Sequence, residues 1–175
     1  ETVLLRILRG TGPAGLAAMR VWDGLHLRPL LTVTRAQIEQ YAAERGLAPR
    51  HDATNDALDA RRNRIRHELL PQLARTYNPA VRDALTRLSV LAAEEDDLLS
   101  ALARMEFERV AHPEGLLLAA LRTLHPAMQR RVLRLFWVHK TGATQEFSYL
   151  HEERMRVLIT AKGAARAEMP GGWHA

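Results

Sequence analysis

The sequence predicts a mainly α-helical fold with minor β structure, and three observations support this prediction. Apolar residues recur every three or four positions along most of the 175 residues. Capping and stop signals flank these periodic segments, as they do at the ends of helices. Signals for β structure are confined to residues 25–31 and to the tail around the Pro-Gly-Gly turn at 170–172.

The first part of the chain combines helices with one short strand. An amphipathic helix begins near the first residue and ends at Gly10, where a turn-rich connector follows. Residues 25–31 alternate briefly and are mostly apolar, so they are predicted as a strand, with Pro29 placing it near an edge. Thr34 and Gln37 form the capping box of a second helix. Its predicted buried face comprises Ile38, Tyr41 and Ala42.

Helices predominate in the second part of the chain. Asn78 and Pro79 signal a helix start, with asparagine as the N-cap and proline at the first helical position. This long helix runs to about Val110, and Trp137 further on is expected in the core. Two more helices are predicted at residues 124–140 and 148–161, and the tail is predicted as a β-hairpin. We therefore place the domain boundary between residues 75 and 76, which gives domains of residues 1–75 and 76–175.

Composition narrows the function classes. The chain has no cysteine, which excludes disulfides and thiolate zinc sites, and no apolar run is long enough to span a bilayer. The net charge of +5 permits a polyanionic partner without requiring one. The eight histidines include no H-E-x-x-H pair, so no metal-ligand site is predicted. A soluble cytoplasmic protein that does not bind membranes is therefore expected.

The segment DARRNRIRHELLPQL places four arginines before an ordinary leucine-rich helix. On a helical projection, Arg62 and Arg66 fall inside the apolar arc, and Asn63 lies at its border. Arg61 and Arg64 point the other way, where a solvated face is the favoured interpretation.

Arginines on a buried face need an anion, because desolvating an unpaired charge is costly. Helix geometry alone gives equal weight to a structural salt bridge and to a bound phosphate. Asp52 or Asp56, in the carboxylate-rich loop just upstream, would be the structural partner.

The order of several motifs resembles that of the bacterial tRNA(Ile)-lysidine synthetases. The stretch ETVLLRILRGTGPAGLAAM is followed by RPLL, by DATND and by RRNRIRHELLP, and the resemblance continues through NPAV, HPAMQRRVLR and MPGG. It covers nearly the whole chain. No single motif is decisive, and their ordered combination carries the resemblance.

The resemblance implies an ATP-dependent ligase. Such enzymes adenylate C2 of the wobble cytosine in an isoleucine tRNA with a CAU anticodon, and the amino group of free lysine then displaces AMP to give lysidine. Residues 1–75 would be the C-terminal part of an α/β ATP-pyrophosphatase domain, and residues 76–175 a helical tRNA-contacting domain ending in a β-hairpin. ATP and Mg²⁺ would be handled mainly by residues upstream of Glu1, including a Ser-Gly-Gly-x-Asp-Ser loop that this sequence lacks. The chain alone is therefore expected to be inactive.

The resemblance also assigns site residues. Glu1 and Thr2 match the end of a His-x-x-Asp-Asp-Gln-x-Glu-Thr motif, which makes Glu1 a catalytic candidate and Thr2 a candidate for binding substrate or ATP. Arg62 and Arg66 match the first and last positions of an Arg-Asn-x-x-Arg pattern and are catalytic candidates. The other candidates for binding substrate or ATP are Asn63 of that pattern, and Asp52 and Asn55 of an Asp-x-Ser-Asn loop in which Thr54 replaces serine. For Glu1 alone, a glutamate favoured by the helix dipole is the simpler explanation.

Arg130, Arg131 and Arg134 lie near one another on a predicted helix and are tRNA-binding candidates, although such clusters are often merely exposed. Two alternatives stay open: a non-catalytic helical RNA-binding module, and a tRNA thiolase of the same ATP-pyrophosphatase superfamily, although thiolases commonly use cysteine. The candidate partners are isoleucine tRNA, free lysine and a second copy of the chain in a homodimer.

Overall fold

The computed structural model describes residues 1–50, 61–142, 147–161 and 165–175. The helices are α1 (Thr2–Leu8), α2 (Pro13–Leu16), α3 (Arg35–Glu44), α4 (Arg61–Arg64), α5 (Leu70–Thr76), α6 (Val81–Val110), α7 (Leu118–Thr123), α8 (Pro126–Thr141) and α9 (Tyr149–Thr160). A π-helical turn, Ile65–Leu69, joins α4 to α5. Strands β1 (Ala111–His112) and β2 (Gly115–Leu116) form an antiparallel pair. The predicted class, mainly α with minor β, is confirmed.

The described residues form two compact units, Glu1–Asp96 and Asp97–Ala175. The long helix α6 contains the point of division. The domain boundary between residues 75 and 76 stays a prediction, because compact units need not coincide with domains.

In the first unit, the helix starts follow the capping signals. The Thr34 hydroxyl accepts the backbone N–H of Gln37, and the Gln37 side chain accepts the backbone N–H of Thr34, so both bonds of the predicted capping box form. The Asn78 side chain accepts the backbone N–H of Ala80 at 2.9 Å, which caps the approach to α6.

The predicted buried face of α3 is wrong. Ile38 and Tyr41 are 39% and 55% exposed, and Ala42 is only partly buried. Helical periodicity identifies an apolar face but does not say whether another element covers it. In the described part of the first unit, this face is open.

The strand predicted at residues 25–31 is also wrong. One isolated antiparallel bridge, Trp22 with Leu27, is the β pairing seen there among the described residues. The Asp23 carboxylate accepts the backbone N–H groups of Leu25 and His26 at 3.1 and 2.8 Å. These bonds close a tight turn and use backbone donors that an extended strand would offer to a neighbour.

The second unit has the larger apolar core. Trp137 of α8 is buried as predicted and stacks on Phe147, with ring centroids 5.2 Å apart. Met155 and Ile159 of α9 and Met169 of the tail belong to the same buried cluster. Four helices and the tail therefore share one core, because α6 contributes its fully buried Val110 and α7 its fully buried Leu121.

Local sequence signals explain where α8 begins and ends and where the tail turns. Pro126 occupies the first turn of α8, and the His125 side chain accepts the backbone N–H of Ala127, which caps that helix. Gly142 ends it in the left-handed conformation, with φ of 69°. In the tail, Ala167 and Ala175 exchange two backbone hydrogen bonds around a 3₁₀ turn, so the predicted terminal hairpin is confirmed in a short form.

Two elements of the second unit were not predicted. Strands β1 and β2 meet through a two-residue turn at Pro113 and Glu114, followed by Gly115, and the helix α7 follows them. Proline and glycine in the stretch HPEG are turn signals. Strands of two residues are too short to show a period, which explains why they were missed.

Candidate functional site

The arginine segment forms one continuous helical stretch, Arg61–Thr76, with the π turn in its middle. The Leu70 backbone N–H donates to the Ile65 carbonyl, five residues back, immediately before Pro71. Proline offers no N–H, and its ring crowds the carbonyl four residues back, so a regular α-helix is unfavourable here. Pro71 therefore interrupts the α-helix, and the wider turn is the form that this disturbance takes.

The two faces of this helix differ as the projection predicted. Ile65 and Leu70 are buried, and Asn63, predicted at the border, is buried at 8% exposure. Arg61 and Arg64 are exposed, and among the described residues Arg64 makes one long, solvated ion pair across one turn of its own helix.

Glu1 supplies the anion that the inner arginines need. Arg66 donates from Nε to Oε1 at 2.7 Å and from Nη2 to Oε2 at 3.0 Å, so the guanidinium holds both oxygens of the carboxylate. Arg62 donates from Nε to Oε2 of Glu1 at 3.3 Å and from Nη2 to the Thr2 hydroxyl at 3.1 Å. The paired, two-bond geometry makes the Glu1–Arg66 contact the stronger of the two.

Arg62 is less buried than the projection implied, and this expectation needs correction. Its side chain is 50% exposed, whereas that of Arg66 is 33% exposed. A projection gives the direction of Cβ, but a long arginine stem can carry its charged end to the solvent edge. Arg66 is therefore the arginine that sits at the centre of the cluster.

The electrostatics favour an ionised Glu1. The hydrogen bonds from Arg66 are the largest cause holding the pKa of the Glu1 carboxyl below its usual value, and they outweigh partial burial, which acts in the opposite direction. The same pair raises the pKa of Arg66. The cluster thus presents a carboxylate fixed in position and charge.

Stability of the first unit should depend on the charge of Glu1. Because its folded-state pKa is lowered, the stabilisation is present above the ordinary glutamate pKa, near 4.5, and is lost as the pH falls through the lowered value. We expect Glu1→Gln to cost roughly 1 kcal/mol at neutral pH and to flatten the acid limb of the stability profile. Urea unfolding from pH 3 to 7 measures this. Glu68→Gln is the matched control on an exposed pair, and identical profiles for the two variants would contradict the assignment.

Two of the predicted site residues, Asp52 and Asn55, lie outside the described residues, and so does Asp56, the proposed structural partner. The structure brings together Glu1, Thr2, Arg62 and Arg66, with Asn63 buried on the same helix. Sequence reasoning did not identify Glu1 as the partner of the arginines. Sixty-one residues separate Glu1 from Arg62, and no local pattern links them.

The predicted tRNA-binding arginines lie in the second unit and contact α6 and α9. Arg130 pairs with Glu153 at 2.5 Å, and its guanidinium lies over the Tyr149 ring. Arg134 donates to Glu152 at 2.8 Å. Arg131 donates to the Ser100 hydroxyl at 3.0 Å. Each of these cations therefore has contacts within the fold.

A second arginine joins the ion pair between α8 and α9. Glu153 also accepts from Arg156 at 2.6 Å, so one carboxylate bridges two guanidinium groups. The hydrogen bond from Arg130 is the first cause that lowers the pKa of Glu153. This arrangement ties the two helices together at the surface of the unit.

The described residues do not assemble a metal site. No group of three or more histidine, aspartate or glutamate side chains gathers within residues 1–50, 61–142, 147–161 and 165–175. Glu1 is the acidic candidate, and both of its oxygens are held by arginines. The groups present therefore do not fit Mg²⁺ by themselves. Within the same ranges, no helix is both long enough and apolar enough to cross a bilayer.

Comparison with known families divides the chain into two matched segments. Residues 1–73 match the PP-loop domain, and residues 116–173 match the TilS substrate binding domain. Residues 74–115 lie outside both matched segments.

Curated relatives resemble nearly the whole chain. The chain is 40% identical to a tRNA(Ile)-lysidine synthase of Salinispora arenicola over 98% of its own length and 54% of the relative's. Proteins of the same name from Solibacter usitatus and Caldanaerobacter subterraneus are 39% and 32% identical, with 40% and 37% of their lengths covered. The chain therefore spans about half, or less, of the length of these relatives.

Proposed function

Since the chain belongs to the tRNA(Ile)-lysidine synthase family, we propose that it contributes to the ATP-dependent ligation of lysine to C2 of the wobble cytosine in CAU-anticodon isoleucine tRNA. In this reaction ATP adenylates the cytosine with release of pyrophosphate, and the lysine amino group then displaces AMP. The PP-loop match supports the use of ATP. The match to a substrate-binding domain supports a tRNA substrate.

The pairing of Glu1 with Arg66 is the observation that best supports this proposal. It joins two residues, 65 positions apart, that match the family motifs from which both were predicted as catalytic candidates. Arg66 keeps Glu1 ionised and fixed, and Oε1, which accepts one hydrogen bond among the described residues, keeps a lone pair that can accept another from the ammonium group of an incoming lysine. Arg62, half exposed beside it, offers a cation to the phosphates of the nucleotide.

The Mg²⁺ that would accompany the ATP phosphates needs ligands beyond the described residues. The described carboxylates do not gather around a metal, so other groups would hold the ion.

The reaction needs ATP, lysine and tRNA together, so we place the protein in the cytoplasm. A homodimer stays a candidate state, to be measured by light scattering.

Lysidine formation tests the proposal directly. The intact protein that carries this chain should convert CAU-anticodon isoleucine tRNA to its lysidine form when ATP and lysine are supplied, with AMP and pyrophosphate as products. Nucleoside analysis of the recovered tRNA identifies lysidine. Tight tRNA binding without any modified nucleoside would instead favour a non-catalytic RNA-binding module.

Salt dependence tests the role of the second unit in tRNA binding. If Arg130, Arg131 and Arg134 contact phosphates, replacing all three with glutamine should reduce the slope of log affinity against log salt by about 0.7 to 0.9 per lost contact. Arg109→Gln is the control, because Arg109 is also paired with a carboxylate but lies outside the substrate-binding match. An unchanged slope in the triple variant would show that these arginines only join α8 to α6 and α9.

A further inference from the structure

A cavity of about 580 Å³ opens in the first unit beside Glu1 and Thr2. Arg62 borders it on one side, and Arg82, Thr86 and Ser89 of α6 border it on another. The volume falls in the range of ordinary ligand-binding pockets. It is large enough for part of a nucleotide.

The walls of this cavity combine two chemical surfaces. Met19, Leu31 and Leu85 provide apolar contact area, whereas the two arginines provide hydrogen-bond donors. Apolar walls with a few convergent polar groups are typical of small-molecule sites. A sugar or base would suit the apolar wall, and an oxyanion would suit the donors.

The charges around the cavity are unbalanced towards positive. Glu1 is the one carboxylate in the described lining, and Arg66, which is not part of that lining, donates to both of its oxygens. The exposed arginines Arg62 and Arg82 therefore border the cavity together with one carboxylate that Arg66 already partly neutralises. Two cations beside one cavity repel each other, and a bound anion would relieve that repulsion.

Arg82 is the least satisfied of these groups. Among the described residues, no hydrogen bond or ion pair is formed by its guanidinium, although Arg62 has partners in Glu1 and Thr2. It also lies in the first turn of the 30-residue helix α6, where the helix dipole disfavours a cation.

We propose that Arg82, together with Arg62, forms a phosphate-binding subsite at this cavity. A phosphate there would neutralise both cations and accept hydrogen bonds from their guanidinium groups. The phosphate belongs to a nucleotide, either the free ATP or a nucleotide of the tRNA.

This subsite extends the proposed function to a segment that neither family match covers. Arg82 lies between the PP-loop match, which ends at residue 73, and the substrate-binding match, which begins at residue 116. The inference rests on the proposed function only for the identity of the phosphate donor. Its physical basis is the cavity and its charge.

Direct binding tests the subsite in the intact protein. Affinities for inorganic pyrophosphate, for ATP and for a synthetic anticodon stem-loop RNA are measured for the native protein, for Arg82→Gln and for Arg87→Gln. Arg87 is an exposed arginine of the same helix that does not line the cavity, so it is the matched control. We expect Arg82→Gln to weaken one class of ligand by about tenfold or more and Arg87→Gln to change either class less than twofold.

The pattern of losses identifies the source of the phosphate. Weaker pyrophosphate and ATP binding with normal RNA binding assigns the free nucleotide, and the reverse, with a smaller salt slope, assigns the RNA backbone. Arg82→Lys, which keeps the charge, should recover part of the affinity, and circular dichroism checks that each variant is folded. Equal affinities for Arg82→Gln and Arg87→Gln with every ligand overturn the proposal. Because these measurements do not require lysidine to form, intact binding without lysidine would count against the proposed function alone.

Discussion

Replacing Arg66 with alanine in the intact enzyme is expected to lower the rate of lysidine formation about a hundredfold. The substitution removes both hydrogen bonds that hold the Glu1 carboxylate, so Glu1 loses its position and its lowered pKa. Arg62→Ala should have a smaller effect, because Arg62 makes one bond to Glu1 and is half exposed. Single-turnover measurements with saturating ATP and lysine isolate the chemical step.

Arg64→Ala is the matched control for this prediction. Arg64 lies on the same helix but faces solvent, and its partner among the described residues is Glu68. Melting temperatures of the same variants separate the two roles of Arg66. Normal stability with lost activity supports the site, whereas a loss of stability that accounts for the lost activity supports a structural salt bridge. Equal losses at Arg64 and Arg66 would contradict the assignment of faces to this helix.

Replacing Trp137 with alanine should destabilise the second unit by about 3 to 5 kcal/mol. Trp137 is buried among residues of α8, α9 and the tail, and it stacks on Phe147 and meets Trp173 edge-on. The truncation leaves a cavity that these neighbours cannot fill without repacking. Urea denaturation followed by circular dichroism measures the loss.

Trp22→Ala is the matched control, because it makes the same tryptophan-to-alanine change at an exposed position. Trp22 lies in the first unit and is 58% exposed, so its removal should cost less than about 1 kcal/mol. A similar small loss for Trp137→Ala would show that the core of the second unit does not depend on this indole.

The sequence contained enough local information to predict the helices whose ends carry caps. Thr34 with Gln37, and Asn78 with Pro79, mark helix starts because the side chains involved act within three residues of the backbone groups that they satisfy. Burial was harder to predict. Tyr41 and Trp137 both follow a helical apolar period, and only one of them is covered by another element. Coverage depends on contacts that are distant in sequence.

The candidate site shows the same limit. Periodicity placed Arg66 on the inner face of its helix, and it could not name Glu1 as the partner because the two residues are 65 positions apart. Arg82 went unnoticed for a related reason. A cation in the first turn of a helix is a weak indication of a binding site on its own. The cavity that Arg82 borders is visible only in the structure.

The π turn at Ile65–Leu69 has a consequence for how this helix tolerates change. A π turn contains about one residue more than an α-helical turn, so it has the geometry of a helix that has absorbed a single insertion. The arginines that hold Glu1 lie before or at its start, whereas Leu70, which packs into the first unit, follows it. The two ends can therefore be oriented independently, one towards the carboxylate and the other towards the apolar interior. Deleting one residue within the turn would restore α-helical phase and force one of these two orientations to be lost.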